Sequence, residues 1–152
     1  MSDWSDVLTS PGHLVARFVR SLSSAPPSIA GELWADEHLL AGERRLWIRM
    51  SNQDRRHSIA VARRFVVSRP SATRAEIAGA LLHDVGKIES GLGTFARSFA
   101  TVVGPRTKRF RSYHDHEAVG ARLVAAAGSD PVTAELVDER GPAYPQLEAA
   151  DY

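Results

Sequence analysis

Four groups of residues carry side chains that could do chemistry together: His57, the adjacent pair His83-Asp84, His116 with His114 beside it, and Asp151. The pair is the most informative, because it ends the apolar run Ile77-Ala78-Gly79-Ala80-Leu81-Leu82. An imidazole and a carboxylate at the end of a buried helix cost desolvation free energy unless both are satisfied. A metal ion satisfies both at once. The alternative is an aspartate that caps the helix and a histidine bonded to a carbonyl. His13 and His38 stand apart from these groups and read as surface or hydrogen-bonded histidines. There is no Cys, which excludes disulfides, thiolate metal sites and a Cys nucleophile.

Charge narrows the partners. Nineteen Lys and Arg against eighteen Asp and Glu leave a net charge of +1, so no stable nucleic-acid complex is expected. The distribution is uneven. Glu43 to Glu76 holds nine Arg and three acids, and Gly104 to Asp115 holds Arg106, Lys108, Arg109 and Arg111 against one acid. Gly128 to Tyr152 holds six acids and Arg140. Such asymmetry suits the steering of an anion, or a solvated Arg-rich surface. The basic connection Gly104–Arg111 reads as a loop, where binding residues often lie.

The elements that must position these groups read as helices. Leu14, Val15, Phe18, Val19 and Leu22 follow helical spacing and stop at the linker Ser-Ser-Ala-Pro-Pro-Ser. Leu39, Leu40, Leu46, Trp47 and Met50 form a second amphipathic stretch, and Gln53 to Val67 a third. Thr73-Arg74-Ala75-Glu76 is a capping box, predicting a helix from there to about Val85 with Gly86 as its stop. Further helices are predicted over Leu92–Val103, over His116–Ala127 with Gly128 as stop, from Asp130-Pro131, and over Gln146–Ala150. No alternating run is long enough for a strand. At 152 residues one all-α domain is expected, a compact helical bundle. No apolar run reaches the roughly 18–20 residues of a transmembrane helix. MSDWSDVLTSPGH has acids and no apolar core, so no signal peptide and a cytoplasmic location are expected.

Ala80-Leu81-Leu82-His83-Asp84-Val85-Gly86-Lys87 resembles the HD-x-G-K signature of the HD superfamily of metal-dependent phosphohydrolases. That family's order is His, His-Asp, further His, then Asp, and this chain offers His57, His83-Asp84, His116 and Asp151. His116-Glu117-Ala118-Val119-Gly120-Ala121 resembles the family's His-x-x-x-Gly-Ala, and Leu147-Glu148-Ala149-Ala150-Asp151 its closing Ala-Asp. The resemblance spans Gln53 to the C-terminus, about two thirds of the chain. It implies an HD-type core over 53–152, with helices of 1–50 packing on it.

The resemblance also implies one divalent ion held by His57, His83, Asp84 and Asp151. A nitrogen and oxygen ligand set suits Mn, Fe, Co, Ni or Mg. Such an ion polarises a phosphoryl oxygen and acidifies a water. Asp84 would orient or deprotonate that water, and Lys87 with Arg106, Lys108, Arg109 or Arg111 would hold phosphate. Dinuclear members carry a second late His, but Ala134 to Arg140 has none, although Glu139 or Asp138 could substitute as an oxygen ligand. A mononuclear site follows, with His116 as a phosphate-binding or proton-donating residue or an optional second-metal ligand. A Gly-Tyr-Pro motif and the Glu-Asp motif of alarmone hydrolases are both missing, which lowers cyclic-dinucleotide and alarmone hydrolysis. The leading expectation is a phosphohydrolase, a phosphomonoesterase or phosphodiesterase, acting on a small phosphorylated substrate such as a nucleotide. The alternatives are a non-catalytic HD-fold module that binds a nucleotide or protein, and a di-iron oxygenase. Trp4, Trp34 and the N-terminal helix could cover a partner in a homodimer, or close the core.

Overall fold

The computed structural model describes residues 23–90 and 108–152, with the side chains of 23–89 and 116–152. The stretches 14–22 and 92–103, and Trp4, His13 and Arg106, lie outside the described residues. Helix is the only regular secondary structure among those described. None of the described helices is long and apolar enough to cross a membrane.

Helix α1, Ile29–His38, opens on Ser28, whose Oγ accepts from the Gly31 N–H at 3.0 Å. Sequence periodicity sets no helix here, and the structure shows why. Its large apolar residues face outward, with Ile29 83% and Leu33 59% exposed, while small Gly31 and Ala35 are buried. Trp34 packs against the chain's own core, with the Arg63 guanidinium 5.4 Å from its ring centre. Helix α2, Ala41–Trp47, places Glu43 in the interior. That carboxylate accepts from the Leu40 N–H at 2.7 Å and from Arg74 Nη1 at 3.1 Å, so its burial is compensated.

Helix α3, Asn52–Ser68, begins at Ser51, whose Oγ accepts from the Asp54 N–H at 3.1 Å. Helix α4, Arg74–Leu82, starts with the Thr73–Glu76 capping box, and every residue from Glu76 to Leu82 is buried. It is the central element, packed by α3 and by α7, Pro131–Val137. Trp47, Phe65, Val61, Leu81, Leu82, Val85, Val124 and Leu136 fill the interior around it.

Helix α4 stops three residues before the expected Val85. Residues 83–86 form tight i→i+3 turns, with the Val85 N–H on the Leu82 carbonyl at 2.9 Å and the Lys87 N–H on that of Asp84 at 3.1 Å. The short α5, Lys87–Ser90, follows. Gly86 is therefore not a left-handed stop. It is required by closeness, because a Cβ there would stand 2.0 Å from the His116 carbonyl oxygen.

That carbonyl belongs to α6, Lys108–Ala126, which starts well before the expected His116. Lys108, Arg109 and Arg111 are therefore helical and not part of a loop, because the helix period extends N-terminally past His116. Their side chains lie outside the described set. Gly128, at φ +87, follows α6. The Asp130 carboxylate accepts from the Val132 N–H at 2.9 Å to start α7. The last helix, α8, Tyr144–Ala150, lies against α3.

Candidate metal centre

Three helices deliver donor atoms to one point. His57 lies on α3, His83 is the C-cap residue of α4, and Asp151 is the C-cap residue of α8. Arg64 on α3 donates from Nε to the Ala150 carbonyl at 2.7 Å, fixing the end of α8 two turns along from His57. His57 Nε2 then donates to Asp151 Oδ1 at 2.7 Å, and His83 Nε2 lies 3.6 Å from the same oxygen. One donor atom from each of the three falls within 4.8 Å of the other two.

The residues fit a divalent cation, and His83 carries the test. Its Nδ1 donates to the Ala80 carbonyl at 2.8 Å, a bond made local by the turn at the end of α4. That fixes the tautomer and leaves the Nε2 lone pair toward the cluster, the outer-shell arrangement common to metal-bound histidines. Nε2 is buried and has no hydrogen-bond partner. Without a metal, the Asp84 and Asp151 carboxylates, each 3.6 Å away, favour a proton there. A cation would satisfy the same nitrogen.

Asp84 stands beside this set and not within it. Its Oδ2 is 3.6 Å from His83 Nε2 and is ion-paired with Lys87 Nζ. The Lys87 ammonium also lies 4.0 Å from Asp54 Oδ1 on α3. Lys87 was expected to hold phosphate. With α4 ended at Leu82, it instead reaches back from α5 onto Asp84.

Burial opposes charge at both titrating ligands, and their neighbours outweigh it. Burial pushes the His83 imidazolium down, but the Asp84 and Asp151 carboxylates and the Ala80 carbonyl raise its pKa overall. Burial likewise disfavours the Asp151 anion, yet His57 and His83 hold its carboxyl well below the usual range. The cluster in the absence of a metal is thus a hydrogen-bonded imidazole–carboxylate network.

A cavity of about 210 Å³ opens beside the centre, lined by His83, Asp84, Lys87 and His116 on one part of its wall. Glu117, Glu139, Tyr144 and Glu148 line another. Burial, followed by the charges of Glu139 and Glu148, a hydrogen bond to Glu139 and the charge of Glu117, pushes the Tyr144 phenol up to about 12. Glu139 sits at φ 57, just past α7 where glycine is favoured, with the Arg140 N–H on the Glu135 carbonyl at 2.8 Å.

The structure therefore brings together His57, His83 and Asp151, with Asp84, Lys87 and His116 at the cavity margin. Arg106, and the side chains of Lys108, Arg109 and Arg111, lie outside the described residues. Sequence reasoning did not single out Asp54, Glu117, Tyr144 or Glu148. The three-residue spacing of Asp54 and His57 was an available signal, since it puts both on one helix face. The six acids after Gly128 were a second. No family model, curated protein or solved structure matches this chain.

Proposed function

We propose that the chain is an HD-type metal-dependent phosphohydrolase with one divalent ion held by His57, His83 and Asp151, and by Asp84 when its carboxylate turns inward. The observation that carries the reading is the buried, unpartnered Nε2 of His83, set by the Nδ1 bond to Ala80 and facing a second imidazole and a carboxylate. The order of these residues and the HD-x-G-K string support it from the sequence side.

An ion in this position supplies Lewis acidity toward a phosphoryl oxygen and a lowered pKa for water. The chain's own groups do the rest. Asp84, at the cavity edge, accepts a proton from the attacking water. His116, which also lines the cavity, gives one to the leaving oxygen. The cavity lies below the roughly 300–1,000 Å³ usual for drug-sized ligands, which points to a small phosphate ester.

The acidic wall of Glu117, Glu139 and Glu148 favours a second reading, a non-catalytic binding module, because these carboxylates repel a phosphate dianion. Metal analysis of protein purified without chelator, together with phosphate release from a panel of mono- and diesters, decides between them. One ion per chain and turnover abolished in His83→Ala and Asp151→Asn support the enzyme. An ion without turnover leaves the binding module. No ion and no turnover reject the metal reading.

A further inference from the structure

Lys87 contacts the Asp84 carboxylate in the turn after α4, and the Asp54 carboxylate on α3 stands 4.0 Å from the same ammonium. All three side chains are largely enclosed, with 13%, 16% and 15% exposure for Lys87, Asp84 and Asp54. Asp54 also has a local role. Its Oδ2 accepts from the Ser51 hydroxyl at 2.7 Å, and its N–H donates to the Ser51 Oγ at 3.1 Å. Its other oxygen, Oδ1, is the one toward Lys87.

We propose that Asp54 is a positioning residue for the metal centre: it offers Lys87 a second carboxylate, so that the ammonium can leave Asp84 when the Asp84 carboxylate turns to a divalent cation. This rests on the reading of His57, His83 and Asp151 as metal ligands. Lys87 then serves the centre as a counter-charge and not as a phosphate ligand. With Asp54 neutral, that second site is lost and the ammonium competes with the ion for Asp84. The effect of Asp54 on the metal therefore runs through Lys87, whereas its effect on the start of α3 does not.

A double-mutant cycle separates the two. Mn²⁺ affinity is measured by the loss of free-ion EPR signal for wild type, Asp54→Asn, Lys87→Met and the double variant, with melting of each metal-free protein alongside. Asp54→Asn is expected to bind Mn²⁺ about tenfold more weakly, at the lower edge of the usual outer-shell effect. Lys87→Met binds at least as tightly as wild type, and adding Asp54→Asn to it brings no further loss. Ser51→Ala, which removes the cap and one hydrogen bond to Asp54 Oδ2 but keeps the Asp54 charge, lowers the melting temperature and leaves affinity unchanged. Wild-type affinity in Asp54→Asn, or the same loss in the Lys87→Met background, overturns the proposal while the metal reading stands. A wild-type chain that takes up no Mn²⁺ overturns both.

Discussion

Gly86 and His116 meet backbone to backbone, and a single methyl group on Gly86 would stand 2.0 Å from the His116 carbonyl oxygen. Gly120, one turn further along α6, completes the contact, since a Cβ there would lie 3.2 Å from the Gly86 nitrogen and 2.9 Å from Val137 Cγ1. The glycines of the two motif-like strings thus answer each other across one helix crossing. They set how close α6 comes to the turn that carries His83 and Asp84.

Gly86→Ala should therefore destabilise by overpacking, by about 3 kcal/mol, the upper end of the usual range. Neither partner is a flexible side chain, so the helix itself must move. Gly128→Ala is the comparison, with φ +87 but nothing within 4 Å of its Cβ. Left-handed strain alone costs about 1–2 kcal/mol. Urea unfolding of both variants tests the order, and equal losses would show that the crossing yields easily.

Glu76 closes the α4 capping box and bonds Arg69, and the Arg69 hydrogen bond is the largest influence lowering its pKa. A lowered folded pKa adds stability that is present above the unfolded value, about 4.3, and lost as pH falls through the folded one. Glu76→Gln keeps a capping-box acceptor but loses the charge opposite Arg69, so it should cost about 1 kcal/mol at neutral pH, the upper end for a partly exposed ion pair. The difference from wild type should close under acid. Melting temperatures across acidic to neutral pH read it out, and a pH-independent gap would contradict it.

The cluster of His57, His83 and Asp151 has opposite signs at its two titrating groups. His83 has a raised pKa, so its contribution is full below about pH 6.5 and is lost as pH rises through the folded value. Asp151 has a lowered pKa, so its contribution is present above about pH 4 and is lost as pH falls through the folded value. A divalent ion requires neutral imidazoles, so its stabilisation grows where that of His83 fades. Added Mn²⁺ should leave the melting temperature nearly unchanged at about pH 5.5 and raise it by several degrees at about pH 8. Equal shifts at both would place the ion elsewhere.

Tyr144 reports on the acidic wall. Removing the Glu139 charge in Glu139→Gln should lower the phenol from about 12 toward its ordinary 10 without reaching it, because burial remains the larger cause. Phenolate absorbance during alkaline titration measures this. An unmoved midpoint would detach Glu139 from the Tyr144 hydroxyl.

How much of this was legible depends on where each determinant lies. Helix starts are local, and Thr73 with Glu76, and Asp130 with Pro131, announce theirs. The end of α4 is not local. The apolar run gives no reason to stop at Leu82, and the stop coincides with the approach of α6 to Gly86. Helix α1 escaped notice because its buried residues are Gly31 and Ala35, while Ile29 and Leu33 face water. His57 and Asp151 were singled out by their order in a resemblance, because no short-range rule joins residues that far apart. The gathering of acids around Tyr144 depends on a left-handed Glu139, a conformation that the residue type does not advertise.

The bond between His57 and Asp151 spans 94 positions of the chain. During synthesis the N-terminal part emerges first, at about 5–20 residues per second. Several seconds separate the appearance of the first donor from that of the last. Through that interval α3 and α4 can assemble, but the third donor is still inside the ribosome. Closing so long a loop is also entropically costly until α8 has docked. The cluster is therefore the last part of the described chain to come into being, and any ligand that needs all three donors distinguishes a finished molecule from an unfinished one.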